Sequence, residues 1–180
     1  MKEGVLDLET RRSIFDLVSS CPGLHMREIA RRCGFKLSLV EYHIRSLMDN
    51  DLIVFDKEDA YKRFYISEDL SNARAGLTSR QKKIMHFLRQ DVPLKITTIL
   101  LDNGPCPHKD ILERIDVSAS TLSYHLSKMK RAGLVKKIRT DRAKGFKIVE
   151  PGEVLWLLMK GNIEPPTVVD GFISTWEDFY

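Results

Sequence analysis

Basic and hydroxyl-bearing side chains are concentrated in one stretch of the chain. Between residues 128 and 147 there are nine lysines and arginines and one acidic residue, Asp141. Just before this run, residues 118–127 contain serines, a threonine and a tyrosine. Cationic side chains neutralise phosphates, and hydroxyl groups hydrogen-bond to phosphates or base edges. The combination is typical of a surface that binds nucleic acid.

The positive charge is localised rather than spread along the chain. The net charge is only +4 over 180 residues. Residues 1–77 contain 12 basic and 13 acidic residues, residues 78–150 contain 16 and 7, and residues 151–180 contain 1 and 5, which gives net charges of −1, +9 and −4. A polyanionic partner is therefore expected to contact the middle segment.

The other reactive side chains form neither a catalytic set nor a metal-binding pattern. Three cysteines and two histidines could be joined into a metal site, but they contain no CxxC pair: Cys21, Cys33, Cys106, His25 and His108. We expect reduced thiols and no bound metal. The chain also lacks a glycine-rich phosphate loop, HExxH and GxSxG. We therefore expect no enzymatic activity, no catalytic residues and no cofactor.

An internal repeat organises the elements that must position these side chains. Residues 10–67 align with residues 92–149 at a constant offset of 82, and eleven of the 58 positions are identical. Apolar residues recur at paired positions, for example Ile14 with Ile96, Ile29 with Ile111, and Leu52 with Leu134. Paired core positions predict two domains of the same fold.

Each copy is predicted to contain three helices followed by a β-hairpin. The helices cover about 10–20, 25–33 and 36–50 in the first copy and 93–102, 107–115 and 118–133 in the second. Asn50 and Gly133 are expected to take the left-handed conformation that ends the third helix. The hairpin strands are LIVF and RFYI, then LVKKIR and FKIV. This order of elements is that of a winged helix-turn-helix domain.

The predicted fold is mainly α with small β-hairpin wings, in two tandem winged helix-turn-helix domains. The domains cover 1–70 and 92–150, a linking helix lies in 71–91, and a C-terminal helix with an aromatic tail covers 151–180. The apolar stripe of the linking helix either packs on a domain or forms a dimer seam. The segment EVLWLLMK is apolar on nearly every side, so we expect it to be buried. The aromatic tail either packs on its own chain or contacts a protein partner.

The third helix of the second copy supplies the main predicted DNA contacts. Leu122, Leu126 and Met129 define its buried face, and a rotation of 100° per residue places polar side chains on the opposite side. Ser118 is the expected N-cap. The candidate DNA-binding residues are Ser118, Ser120, Thr121, Tyr124, Ser127, Lys128 and Arg131 on the helix, with Lys137, Arg139, Arg142 and Lys144 on the wing.

The corresponding face of the first copy is less attractive to a polyanion. Its candidate DNA-binding residues are Ser38, Tyr42 and Arg45. Leucines lie beside them, and three acidic residues in the wing oppose its three cations. Arginines on the second helix could still bind phosphates. We expect this domain to bind DNA weakly or to serve another contact.

Two stretches carry a family resemblance. LHMREIARRCGFKLSLVEYHIRSLMDNDLI and PHKDILERIDVSASTLSYHLSKMKRAGLVKK resemble the helix-turn-helix of the ArsR and MarR type, and both contain Tyr-His followed by an aliphatic residue. Their tandem arrangement is similar to the two-domain winged-helix regulators common in archaea, over about 140 of the 180 residues. The resemblance implies a DNA-binding transcription regulator. The acidic first wing departs from the pattern.

The expected partner is double-stranded DNA, contacted mainly by the third helix and basic wing of the second domain. A tandem winged-helix scaffold for protein interactions is the alternative, although it would not need nine cations on one helix and wing. We also expect a homodimer on symmetric half-sites, although a tandem monomer could itself span two grooves. The chain starts without a secretory-signal pattern and has no apolar run of roughly 20 residues. A cytoplasmic protein without membrane contact is therefore expected.

Overall fold

Two compact units make up the computed structural model: the first contains the described residues up to Lys82 together with Lys160–Asn162, and the second contains Lys83–Met159 and the described residues from Ile163 onward. The structure describes residues 8–58, 61–67, 76–139 and 144–166. These residues form mostly helices, with one small antiparallel sheet in each unit. Within the described ranges, no helix is long and apolar enough to cross a membrane. The predicted fold class, two winged helix-turn-helix domains, is confirmed.

The first unit has three helices and a three-stranded sheet. The helices are α1 (Glu9–Ser20), α2 (Met26–Cys33) and α3 (Leu37–Asp49), and the strands are β1 (Leu24–His25), β2 (Ile53–Glu58) and β3 (Tyr61–Ile66). The strand order is β1-β3-β2, with both pairs antiparallel. Apolar side chains from every one of these helices and strands meet in one core, among them Ile14, Leu24, Ile29, Ile44, Ile53 and Phe64.

The second half of the described chain repeats this plan and adds a helix at each end. Its helices are α4 (Ser79–Leu88), α5 (Asp91–Asn103), α6 (His108–Leu112), α7 (Ala119–Arg131) and α8 (Pro151–Lys160), and its strands are β4 (Cys106–Pro107), β5 (Val135–Arg139) and β6 (Lys144–Ile148). The strand order is β4-β6-β5. The bounds of α7 and β4 lie 82 residues after those of α3 and β1, so the sequence repeat is also a repeat of structure.

Several details differ from the sequence prediction. The two-residue strands β1 and β4 were not expected, because so short a segment has no alternation to detect. The helix predicted over 107–115 ends at Leu112, and Arg114 N–H then donates to the Ile111 carbonyl in a tighter turn. The left-handed residue after α3 is Asp51, with φ of 56°, and not Asn50, with φ of −104°. Aspartate tolerates this conformation.

The prediction that the C-terminal helix is buried is wrong for one side of the helix. Val154, Leu157 and Leu158 of α8 are buried, but Trp156 and Met159 are 40% and 42% exposed. Ten residues make nearly three turns, so one side of the helix packs while the other faces outward. The aromatic tail lies outside the described residues.

The N-terminus of α7 is capped by a side chain. Ser118 Oγ accepts a hydrogen bond from the Thr121 backbone N–H at 3.1 Å, as the sequence predicts, and lies 2.8 Å from both Ser120 Oγ and Thr121 Oγ1. At the equivalent position of α3, Lys36 forms no side-chain cap. The first turn of α7 is therefore held by a hydroxyl network that α3 lacks.

Gly145 allows β4 to approach β6 closely. The two strands pair Cys106 with Phe146 and Pro107 with Gly145. A Cβ at position 145 would lie 3.0 Å from the Cys106 carbonyl oxygen and 3.2 Å from its carbonyl carbon. Both neighbours are backbone atoms in a paired strand, so they cannot move without disturbing the sheet.

We expect Gly145→Ala to destabilise the protein by about 1–3 kcal/mol, as is typical of overpacking. Gly152→Ala is the matched control, because a Cβ at that helical position meets nothing within 4 Å. It should leave stability unchanged or raise it by up to about 1 kcal/mol, since alanine restricts the unfolded chain. Thermal unfolding by circular dichroism measures both. Equal melting temperatures for the two variants would contradict the close approach.

We expect Ser118→Ala to lower the free energy of unfolding by about 1 kcal/mol, because the Thr121 N–H loses its acceptor. Ser118→Asp should retain most of the stability, since a carboxylate also caps a helix. Lys36→Ala removes no cap and should change stability by less than about 0.5 kcal/mol. Urea unfolding provides the comparison. A loss for Lys36→Ala as large as that for Ser118→Ala would mean that the cap is not the cause.

Candidate nucleic-acid interface

The packing of α7 determines which of its side chains face outward. Leu122, Leu126 and Met129 are buried, as the sequence predicts. The opposite side carries the predicted contact residues: Ser120, Tyr124, Ser127 and Arg131 are exposed, and Thr121 and Lys128 are half-buried at its edge. The helix contains no acidic residue. Its outward face therefore offers hydroxyl groups and cations to a partner.

Tyr124 is the central aromatic group of this face. Its side chain is 57% exposed, and its ring meets His125 edge-on with centroids 5.3 Å apart. Lys128 Nζ lies 5.5 Å from the Tyr124 ring centroid, within the range of a cation–π contact. Burial lowers the pKa of His125, and the nearby Lys128 lowers it further. The imidazole therefore adds no positive charge to the face at neutral pH.

The hairpin of the second domain is strongly cationic. Lys137, Arg139 and Lys144 are exposed. Arg139 pairs with Lys144 across the two strands, and Lys136 pairs with Lys147. Like charges at directly opposite positions are destabilising, so this arrangement opposes the stability of the free hairpin. Arg142, the other predicted wing contact, lies outside the described residues.

The first domain presents a different chemistry on the same framework. Ser38, Tyr42 and Arg45 are exposed on α3, as expected. Arg45 Nη2 lies 3.8 Å from Glu41 Oε1, so its charge is partly compensated. Leu37 and Leu39 are also exposed on this helix. The face mixes apolar groups with paired charges, which suits a polyanion poorly.

The arginines of α2 are also compensated. Glu28 accepts hydrogen bonds from Arg31 Nη2 at 2.6 Å and from Arg32 Nε at 2.7 Å. The hydrogen bond from Arg31 is the main cause that lowers the pKa of Glu28 to about 2, so the carboxylate stays ionised. Two of the cations that could bind phosphate thus already have an anionic partner.

Tyr42 and Tyr124 occupy equivalent positions in the two domains. Tyr42 is 63% exposed and meets His43 edge-on at 5.2 Å, nearly the same geometry as Tyr124 with His125. The tyrosines therefore differ in their neighbours and not in their placement. This equivalence provides an internal control for any function of Tyr124.

Sequence reasoning missed one flank of α7. Ser123 and Lys130 face a cleft between α7 and the wing, and His108 at the start of α6 lies beside them. The rotation argument points to the side directly opposite the buried stripe and does not include residues a quarter-turn away. The spacing of seven between Ser123 and Lys130, which places both on one flank, was the available signal.

The cysteines remain thiols in this structure. Cys21, Cys33 and Cys106 are all free. Burial raises the pKa of Cys33 and Cys106, which keeps both thiols protonated. Among the described residues, no three His, Cys, Asp or Glu side chains cluster closely enough to hold a metal ion.

Each unit matches a helix-turn-helix family. Residues 78–137 match the model described as bacterial regulatory protein, arsR family, and residues 8–75 match a model of an N-terminal helix-turn-helix domain. The first of these matches includes α4, which the sequence prediction treated as a linking helix. The matched ranges also include α3 with β2 and β3, and α7 with the first three residues of β5.

An HTH-type transcriptional regulator of Methanocaldococcus jannaschii is 26% identical over 135 residues, which cover 75% of this chain and 32% of the relative. The match thus spans about a third of that relative's length. The transcriptional repressor PagR of Bacillus anthracis is a structural neighbour, with 20% identity, a TM-score of 0.39, and coverage of 43% of this chain and 88% of PagR. An ArsR-like transcriptional regulator from Rhodococcus sp. RHA1 has 16% identity, a TM-score of 0.39, and coverage of 56% and 86%. Each half of the chain is thus similar to a helix-turn-helix domain, and the second half is similar to the arsR family of regulatory proteins.

Proposed function

We propose that this protein regulates transcription by binding duplex DNA mainly through α7 and the β5–β6 wing. The observation that carries the proposal is the composition of this surface. Exposed hydroxyls and cations cover α7, β5 and β6, and these three elements contain no acidic residue. A polyanion would meet attraction from these helix and strand residues, and Asp141 in the loop between the strands is the one acid among the nine cations.

The two parts of the surface are suited to different contacts. An α-helix fits the major groove, where residues in its first turns come closest to the base edges. In this proposal Ser120, Thr121 and Tyr124 face the bases, and Ser118 and Ser127 contact the phosphates or sugars beside them. The cations contact phosphates: Lys128, Arg131, Lys137, Arg139, Arg142 and Lys144.

These contacts are expected to bind DNA through its phosphates more strongly than they discriminate between base sequences. Arginine to guanine and asparagine or glutamine to adenine are the pairings that discriminate bases most strongly. The first two turns of α7 contain serine, threonine and tyrosine instead. A hydroxyl group can hydrogen-bond to the edges of several different bases, and the tyrosine ring can contact a thymine methyl group. Binding is therefore expected to depend steeply on salt concentration, with a modest preference among sequences.

The first domain has a secondary role in this proposal. Ser38, Tyr42 and Arg45 would form a weaker contact with the same duplex. The ion pair between Arg45 and Glu41 and the exposed Leu37 and Leu39 reduce its attraction for phosphate. Most of the affinity would then come from the second domain.

We further propose that the protein acts as a homodimer. Trp156 and Met159 leave apolar surface on α8 that a second copy would cover. A symmetric dimer would also place two reading surfaces on a pseudo-palindromic site. The aromatic tail, GFISTWEDFY at 171–180, is a further candidate for a protein contact in this proposal.

Tyr124→Ala should reduce sequence preference. Duplexes selected by the full-length protein from a random pool supply the preferred DNA, and a scrambled version supplies the reference. The variant should narrow the affinity ratio between them by about 1 kcal/mol, or about fivefold, because one base-edge contact is lost. Tyr42→Ala, the equivalent change in the first domain, should alter the ratio less than twofold. A larger effect from Tyr42→Ala than from Tyr124→Ala would mean that the first domain contacts the bases, which contradicts the proposal.

Arg139→Ala should weaken binding to both DNAs equally. The slope of log affinity against log salt should become less steep by about one unit, as expected for one lost phosphate contact. Lys57→Ala is the control, because Lys57 is the equivalent wing residue of the first domain and should change the slope much less. Fluorescence anisotropy at several salt concentrations measures the slopes. If Arg139→Ala affected only the selected DNA, the assignment of the wing to phosphates would fail.

Sedimentation equilibrium at micromolar concentration should give twice the mass of the 20.8 kDa chain. Trp156→Ser should raise the dissociation constant of the dimer at least tenfold, because a large exposed aromatic side chain leaves the interface. Tyr61→Ser, which alters an exposed aromatic of the first wing, should not change it. A monomeric wild-type protein would rule out the dimer.

A further inference from the structure

A cleft of about 290 Å³ opens between α7 and the wing of the second domain. Its floor is apolar and consists of Leu126 and Phe146, both buried. Three lysines surround the floor, Lys130 from α7 and Lys137 and Lys144 from the two wing strands. The volume equals roughly ten water molecules. The cleft is therefore large enough for a small organic anion.

One wall of the cleft is a hydrogen-bonded pair. His108 Nε2 lies 3.0 Å from Ser123 Oγ, so α6 and α7 are joined at this point. Whichever group donates within the pair, the serine oxygen keeps a lone pair or proton for a ligand. Ser127 adds a second hydroxyl from α7. The wall thus supplies neutral hydrogen-bonding groups beside the three ammonium groups.

The lining residues select an anion with several oxygen atoms. Among the described residues that line the cleft, none has a carboxylate side chain. Lys137 Nζ lies 5.7 Å from the Phe146 ring centroid, which directs one ammonium group over the floor. Phosphate accepts several hydrogen bonds at once and suits such a set of donors. The apolar floor would contact the organic part that carries the phosphate.

The first domain shows that this cleft is not a general property of the fold. Its residues at the positions of His108, Ser123, Lys130 and Gly145 are Met26, Glu41, Met48 and Arg63. Arg63 is only 5% exposed, and its Nη1 donates to the Gly23 carbonyl at 2.8 Å. An arginine thus stands in place of the glycine, a glutamate in place of the serine, and methionines in place of both the histidine and the lysine. Of the three lysine positions, only that of Lys144 is still a lysine in the first domain, because Phe55 and Met48 occupy the positions of Lys137 and Lys130.

We propose that this cleft is a phosphate-binding site formed by Lys130, Lys137, Lys144 and the His108–Ser123 pair, which takes a phosphate group attached to a larger molecule. The phosphate comes either from the backbone of bound DNA or from a free phosphorylated metabolite. The lining of the cleft supports this site independently of the proposed function. Only the DNA backbone as the source of the phosphate rests on that function.

Ribose 5-phosphate is a suitable probe, with ribose as the control for its organic part. Titration of the full-length protein, followed by ¹H–¹⁵N NMR, should give saturable shifts at Gly145 and Phe146 with the phosphate but not with ribose. Lys137→Gln should weaken binding at least about tenfold, because one charge-assisted hydrogen bond is lost. Lys136→Gln should change it less than twofold, since neighbouring strand residues face opposite sides.

Ser123→Ala tests the hydrogen-bonding wall without removing a charge. It should weaken binding of the probe severalfold and leave the melting temperature unchanged. The proposal is overturned if the shifts do not saturate, if ribose alone produces them, or if Lys136→Gln and Lys137→Gln weaken binding equally. The two lysine variants remove the same charge, so a general electrostatic effect would affect both.

A second titration identifies the source of the phosphate. Saturating duplex DNA displaces the probe if a backbone phosphate occupies the cleft, and leaves it bound if the natural ligand is a free metabolite. Wild-type protein that binds the probe but no DNA would overturn the proposed function and retain this site. Protein that binds DNA but not the probe would overturn this site and retain the proposed function.

Discussion

The burial of the apolar stripe on α7 is the constraint on which the rest of the second domain depends. Leu122, Leu126 and Met129 have almost no exposed surface, and this packing fixes the rotation of the helix about its axis. A rotation of the helix about its axis by one residue position, about 100°, would expose these side chains to solvent. The cost would be about 1.5–3 kcal/mol for each side chain. The outward position of the hydroxyl and cationic side chains therefore follows from core packing and needs no interaction of their own.

The two domains separate framework from chemistry. They share helix and strand positions at an offset of 82 residues, and both bury the same stripe of the third helix. Their exposed positions differ in charge: Ser127 corresponds to Arg45, which is paired with Glu41, and Arg131 corresponds to Asp49. Substitutions on an exposed face cost little stability. One fold can thus carry a cationic face in one copy and a compensated, partly apolar face in the other.

The sequence was informative wherever periodicity or pairing was strong. The repeat and the apolar stripes predicted the helices, the hairpins and the capping role of Ser118. The failures have physical reasons: two-residue strands have no period, and α6 is closed by turn hydrogen bonds that no residue type marks. The cleft beside α7 was not predictable, because it needs Lys130 from a helix, Lys144 from a strand and His108 from a third element together. Spacing along the chain places Ser123 and Lys130 on one flank of α7, but their grouping with residues of other elements depends on tertiary packing.

Because cations face each other across the wing, the stability of the β5–β6 hairpin depends on salt concentration. Arg139 opposite Lys144 and Lys136 opposite Lys147 repel one another, and dissolved salt screens that repulsion. The same salt weakens attraction to any polyanion. Raising ionic strength should therefore slow amide hydrogen exchange in β5 and β6 of the free protein while it loosens a nucleic-acid complex. A bound polyanion would replace the screening ions, so the hairpin is most firmly closed when it is occupied.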